Sequence, residues 1–131
     1  MSIFTHAVLG TNDLKKAETF YDAALGTLGL SQKGPFGSGG TMYGKDGPEF
    51  IVTAPGDGKP ATPANGGTLG FLAGDRATVR AFYEAALANG GTDEGAPGLR
   101  PHYHAHYYGA YVRDPDGNKL QAVCHRKLDA G

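Results

Sequence analysis

An α+β domain made of one module used twice is what this sequence predicts, and two observations carry the prediction. First, Asp13-Leu-Lys-Lys-Ala-Glu-Thr-Phe20-Tyr21-Asp-Ala-Ala-Leu25 aligns without a gap on Asp75-Arg-Ala-Thr-Val-Arg-Ala-Phe82-Tyr83-Glu-Ala-Ala-Leu87. Phe-Tyr, an acidic residue and Ala-Ala-Leu fall in register, and such self-similarity marks a repeated supersecondary unit. Second, Lys45-Asp46-Gly47 in the first half lines up with Pro115-Asp116-Gly117 in the second. Each half therefore reads as a strand, a helix, then two or three strands. The modules are about 3–54 and 66–125, joined by a linker of about 55–65.

Taken in order, Ile3 to Leu9 reads as a strand, with Phe4, His6 and Val8 facing one way. Thr11-Asn12-Asp13 supplies capping oxygens for a helix. Leu14, Ala17, Tyr21, Ala24, Leu25 and Leu28 form its apolar stripe, which Gly26 or Gly29 ends. Gly34 to Gly47 reads as irregular, with a short strand near Thr41-Met42-Tyr43, and Glu49 to Thr53 as another strand. Ala54 to Gly67 contains no large apolar residue, cannot bury itself, and connects the halves. Thr68 to Ala73 is a predicted strand and Asp75 a cap. Val79, Phe82, Tyr83, Ala86 and Leu87 are the stripe of a second helix, stopped at Gly90-Gly91. After a loop through Gly98, Pro101–Arg113 and Asn118–His125 form a hairpin around Asp114-Pro115-Asp116-Gly117, which has tight-turn composition. In its last arm Leu120, Ala122 and Cys124 share one face, and Gln121, Val123 and His125 the other.

The totals narrow the function. A chain of 131 residues holds one substantial core. A net charge of −1, with no Lys/Arg cluster, lacks the footprint of a nucleic-acid or anionic-membrane binder. Cys124 is the single cysteine, so no intrachain disulfide can form, which suits a reducing compartment. No apolar run reaches membrane-span length and the N-terminus lacks signal-peptide features, so the expectation is a soluble cytoplasmic protein. Gly39 to Lys45 satisfies part of a phosphate-loop pattern, but Asp46 follows where Ser or Thr is needed and a turn replaces the helix. Cys124, on the apolar face of its strand, reads as a buried inert thiol.

The duplicated pattern resembles the vicinal oxygen chelate superfamily of glyoxalases, bleomycin-resistance proteins and extradiol dioxygenases. Its markers are His6 followed by Asn12-Asp13-Leu14 and Phe20-Tyr21, and the late Asp114-Pro115-Asp116-Gly117-Asn118. The resemblance covers nearly the whole chain. It implies two βαβββ modules whose curved mixed sheets form a cup with helices on the outer face, often completed across a homodimer. It also implies a site on the first and last strands of each module, here His6, Ile51, Thr68 and Gln121. As metal ligands these are poor, because Ile51 donates nothing, Thr68 is weak and no carboxylate remains. If a divalent ion such as Zn²⁺, Ni²⁺ or Fe²⁺ binds, His6 and Gln121 would hold it; otherwise they are polar contacts for a ligand.

A second constellation lies at His102, His104 and His106. In an extended segment these would point one way, ~7 Å apart, as a displaced metal site or a rim of acid, base and donor groups. In a loop they are amphipathic surface. Tyr103, Tyr107, Tyr108 and Tyr111 add aromatic walls with hydroxyl tips, and Arg100 could pair with a ligand carboxylate or phosphate. Two functions follow from the resemblance. One is a glyoxalase-like protein, a lyase or isomerase acting beside a carbonyl, with His6, Gln121 and His104 as its catalytic centre. The other is a non-enzymatic binding or resistance protein that sequesters an aromatic, antibiotic-like ligand in a dimer groove.

Overall fold

The fold is seen in a computed structural model that describes residues 2–127. Among these residues the elements run β1 (Ala7–Gly10), α1 (Leu14–Gly26), β2 (Ser31–Phe36), β3 (Gly40–Gly44) and β4 (Phe50–Thr53). The second half repeats them as β5 (Leu69–Leu72), α2 (Arg76–Ala88), β6 (Thr92–Leu99), β7 (Tyr108–Arg113) and β8 (Lys119–Cys124). The two helices start by the same device. Asp13 accepts from the Lys16 amide at 3.1 Å, and Asp75 accepts from the Thr78 amide at 2.8 Å. Each cap satisfies a donor that the first helical turn leaves unpaired, worth about 1 kcal/mol.

The halves build two curved, open four-stranded sheets of identical order, β1-β4-β3-β2 and β5-β8-β7-β6. In each, the first and last strands run parallel, pairing Val8 with Ile51 and Gly70 with Gln121. Strand alternation then decides the faces. Ala7, Leu9, Phe50, Val52 and Tyr43 point to the helices, as do Leu69, Phe71, Leu120, Ala122 and Val112. One apolar cluster spans both modules, and Phe50 meets Phe71 edge-to-face at 5.8 Å across the boundary.

The Asp-Pro-Asp-Gly turn is more than a turn. Asp114, 3% exposed, accepts from Tyr21 Oη at 2.5 Å and from Asn118 Nδ2 at 2.9 Å, and also takes the Asp116 and Asn118 amides. Asn118 Nδ2 also donates to the Gly10 carbonyl, and the Asn12 amide donates to Asp116 Oδ1. The second module's hairpin is thereby bonded to the first module's strand and helix. Desolvation raises the Asp114 pKa despite those hydrogen bonds, which pull it down.

Three expectations are corrected. The segments read as irregular, Gly34–Gly47 in part and the loop before Gly98, include the strands β2 and β6. Both are edge strands whose register shifts at Gln32/Gly34, Asp93/Gly95 and Gly95/Gly98, and a bulge breaks the two-residue period. Ile3 to His6 precede β1 and lie exposed. His102 to His106 run through turns, so the extended reading of the three histidines fails; Pro101 opens the first turn, and the strand starts at Tyr108. Cys124 is buried, as its face predicts.

Candidate functional site

On the face of the second sheet away from the helices, β8 presents Gln121, whose neighbour across β7 is Tyr111 and across β5 is Gly70. Tyr107 Oη donates to Gln121 Oε1 at 2.9 Å. Missing side chains make the room. A Cβ on Gly70 would stand 3.1 Å from Gln121 Nε2, and one on Gly109 would stand 3.3 Å from the Tyr107 ring. Gly95 and Gly98 similarly clear a seat for the Arg100 guanidinium, each with an Nη only 3.2 Å from where a Cβ would be. Arg100 lies 5.4 Å from the centre of the Tyr111 ring, and Lys119 Nζ is equally distant.

The loop after β6 adds an aromatic rim. His102 and Tyr103 rings are 4.2 Å apart, and Tyr103 and Tyr107 rings 4.8 Å. His104 Nε2 and His125 Nδ1 are 2.9 Å apart, and the His106 amide donates to His104 Nδ1 at 3.1 Å. That amide needs a lone pair on Nδ1, so neutral His104 carries its proton on Nε2 and donates it to His125. Neutral His125 then holds its own proton on Nε2, which that bond leaves free. The Tyr111 phenol is raised by partial burial first and by Tyr107 next, while Tyr103 and Arg100 pull it down.

Of the residues singled out by sequence, Gln121, Arg100, Tyr103, His102, His104 and His106 therefore lie on or beside one shelf. Tyr108 does not. Its alternation turns it to the helix side, where it packs near Val79 and Ala110, under Arg76 and Arg80. His6 is exposed before β1 and contacts Thr5 Oγ1 at 2.9 Å, whereas the Gln121 amide bonds to Tyr107 on the second sheet. Ile51 is buried in the first sheet and Thr68 is exposed just before β5. Tyr107 and Tyr111, named by sequence as aromatic walls, lie on the shelf too, whereas Lys119 and Gly70 were missed. Parity gave a signal for Lys119, which precedes Gln121 by two residues on the same strand.

The donor set does not fit a metal ion. The four strand positions offer one imidazole, one amide already accepting from Tyr107, one hydroxyl and one alkyl group. The His104 rim is no better, because a metal on Nε2 would put a proton on Nδ1 against the His106 amide. Among the described residues no group of three or more His, Cys, Asp or Glu converges. Two hollows lie elsewhere. One, about 420 Å³, lies between β1, Thr53 and the linker, and another, about 530 Å³, between Lys15, Lys16 and the Ala88–Gly90 end of α2. Neither contains a histidine, tyrosine or glutamine.

With this geometry in hand, the comparisons are consistent. The profile of the Glyoxalase/Bleomycin resistance protein/Dioxygenase superfamily matches residues 3–122. A glyoxalase/bleomycin resistance protein from Albidiferax ferrireducens T118 is 44% identical with a TM-score of 0.86, covering 95% of this chain and 100% of that one. A glyoxalase-related enzyme from Fulvimarina pelagi has 20% identity and a TM-score of 0.73, covering 94% and 88% of the two chains. A lactoylglutathione lyase from Agrobacterium tumefaciens has 22% identity and a TM-score of 0.66, covering 95% and 94%. At those lower identities the likeness is one of fold. No curated protein matches the chain. No helix among the described residues is long and apolar enough to cross a membrane.

Proposed function

Because the chain belongs to the glyoxalase/bleomycin resistance protein/dioxygenase superfamily, we propose that it binds a small organic molecule on the Gln121 shelf without needing a metal ion. The observation that carries this reading is the Tyr107–Gln121 hydrogen bond, laid on a glycine-cleared floor beside the aromatic rim. Tyr107 fixes the amide's oxygen, which leaves Gln121 Nε2, resting over Gly70, with its two N–H groups for a ligand. A second reading, proton transfer beside a ligand carbonyl, is favoured by the His104–His125 pair. The outer N–H of that pair, on His125 Nε2, can donate to the carbonyl oxygen and polarise it while solvent takes the adjacent proton.

The test is calorimetry and deuterium exchange on chelator-treated protein, with aromatic ketones as probes. Binding should survive chelation, fall about tenfold in Gln121→Ala, and fall in Gly70→Ala, whose new methyl displaces Nε2. Exchange of the proton next to the carbonyl, lost in His104→Ala, supports the lyase or isomerase reading; binding with no exchange supports sequestration. Binding unchanged in both Gln121→Ala and Gly70→Ala would remove this shelf from the function.

A homodimer belongs to the same proposal. β1 and β5 are sheet edges with unpaired backbone groups, and Val8 in β1 and Leu72 in β5 are 48% and 75% exposed. A second copy covering these edges would let one protomer's His6 and the other's Gln121 share a hollow. Leu72→Asp should then shift the protein to monomer in light scattering while circular dichroism is unchanged. A wild type that is already monomeric ends this part of the proposal.

A further inference from the structure

Resting on the reading of this shelf as a ligand site, we propose that it selects an aromatic carboxylate. Arg100 and Lys119 would hold the acid group, and the tyrosine rings would hold the arene. Three cations share the face, and they are not equivalent. Arg113 is ion-paired with Glu94 and also donates from Nη1 to the Gly117 carbonyl at 2.7 Å. Arg100 and Lys119 have no carboxylate in ion-pair contact among the described residues.

Their placement is built, not incidental to a flexible surface. The guanidinium of Arg100 rests over Gly95 and Gly98, donates once to the Ala96 carbonyl at 2.9 Å, and keeps its other N–H groups available. Lys119 and Gln121 leave β8 on the same face, two residues apart, and Arg100 and Lys119 converge on the Tyr111 ring. Two cations flanking one ring, Arg100 from the β6 side and Lys119 from the β8 side, give the shelf a positive potential that favours an anion. A neutral ligand leaves both charges unanswered and a cationic one adds to them. The planar fork of Arg100 matches a carboxylate with two parallel N–H bonds, while Lys119 adds a point charge. Tyr103, Tyr107 and Tyr111 offer ring faces and edges, so the acid is read together with an arene.

The experiment titrates the full chain with 2-naphthoate, 2-naphthamide and 2-naphthylphosphonate, followed by NMR and calorimetry. Naphthoate should bind about tenfold tighter than the amide, and the advantage should shrink with added salt. Lys119→Gln and Arg100→Gln should each cut it to about twofold or less, with unchanged melting temperature showing an intact fold. Acid and amide binding equally well at the Gln121 and Tyr107 signals would overturn the selectivity but leave the shelf as a ligand site. Tighter phosphonate binding would overturn the carboxylate assignment. No probe perturbing those signals would refute the selectivity and the shelf together.

Discussion

Asp114→Ala is expected to destabilise the protein by about 4 kcal/mol, because one buried carboxylate serves four donors. Removing it leaves the Tyr21 hydroxyl buried without its acceptor and frees the Asp116 and Asn118 amides that close the turn. It also loosens Asn118, which reaches the Gly10 carbonyl of the other module. For a chain of this size, melting should fall by roughly 10 °C or more. Tyr21→Phe removes one charge-assisted bond but leaves the turn closed, so about 2 kcal/mol is expected. Urea titration of both variants checks this. A loss under about 1 kcal/mol in Asp114→Ala would mean that the turn does not join the two modules.

The same clamp sets a pH dependence. Burial, reinforced by Asp114, holds the Tyr21 phenol well above its ordinary value of 10.0. Above that pH the unfolded chain releases this proton while the folded chain keeps it. Stability from Tyr21 is therefore complete below pH 10 and declines as pH rises, by up to about 1.4 kcal/mol per unit, a slope that Tyr21→Phe should flatten. Asp114 is also raised above its ordinary 3.8. Its stabilisation is complete below that value and declines as pH climbs through the folded pKa, so this carboxylate does not drive acid unfolding.

The helices and the core were legible because they repeat every 3.6 residues and begin with an Asp at the same offset. That signal is local, and it occurs twice. The edge strands were not legible. Pro35 and Gly34 in β2, and Gly95, Pro97 and Gly98 in β6, erase the alternation, and only the partner strand reveals the pairing. The roles of Asp114 and Asn118 were hidden for a related reason. Turn composition shows that the chain reverses there, but nothing local shows that Tyr21 and Gly10 supply the other ends of the bonds. The shelf was half legible. Alternation in β8 placed Gln121 away from the core, whereas Tyr107 and Arg100 reach it from a loop whose path no period predicts. Alternation also misled. It suggested that the three histidines share a face, and the turns from Pro101 onward place them otherwise.

Gly44→Ala should be about as damaging as breaking the Asp114 clamp, for a reason visible only when the two turns are laid over each other. With Lys45-Asp46-Gly47 on Pro115-Asp116-Gly117, Gly44 occupies the place of Asp114. In the second module a carboxylate fills that place and gathers the turn's amides. In the first module the backbone itself fills it. A Cβ on Gly44 would lie 1.7 Å from the Gly47 carbonyl oxygen and 2.8 Å from its carbon. Neither is the end of a flexible side chain. The turn would have to open, straining the Glu49 amide bond to the Tyr43 carbonyl, and β4 carries Phe50 and Val52 into the core. About 3 kcal/mol or more is expected from such an overlap, or roughly 10 °C in melting temperature. Gly47→Ala, three residues on, is the control. Its Cβ would meet nothing within 4 Å, and its backbone has no positive φ, so a change within about 1 kcal/mol is expected. If Gly44→Ala and Gly47→Ala unfold at the same urea concentration, the first turn is not packed on its own backbone, and the two modules do not close their hairpins by different means.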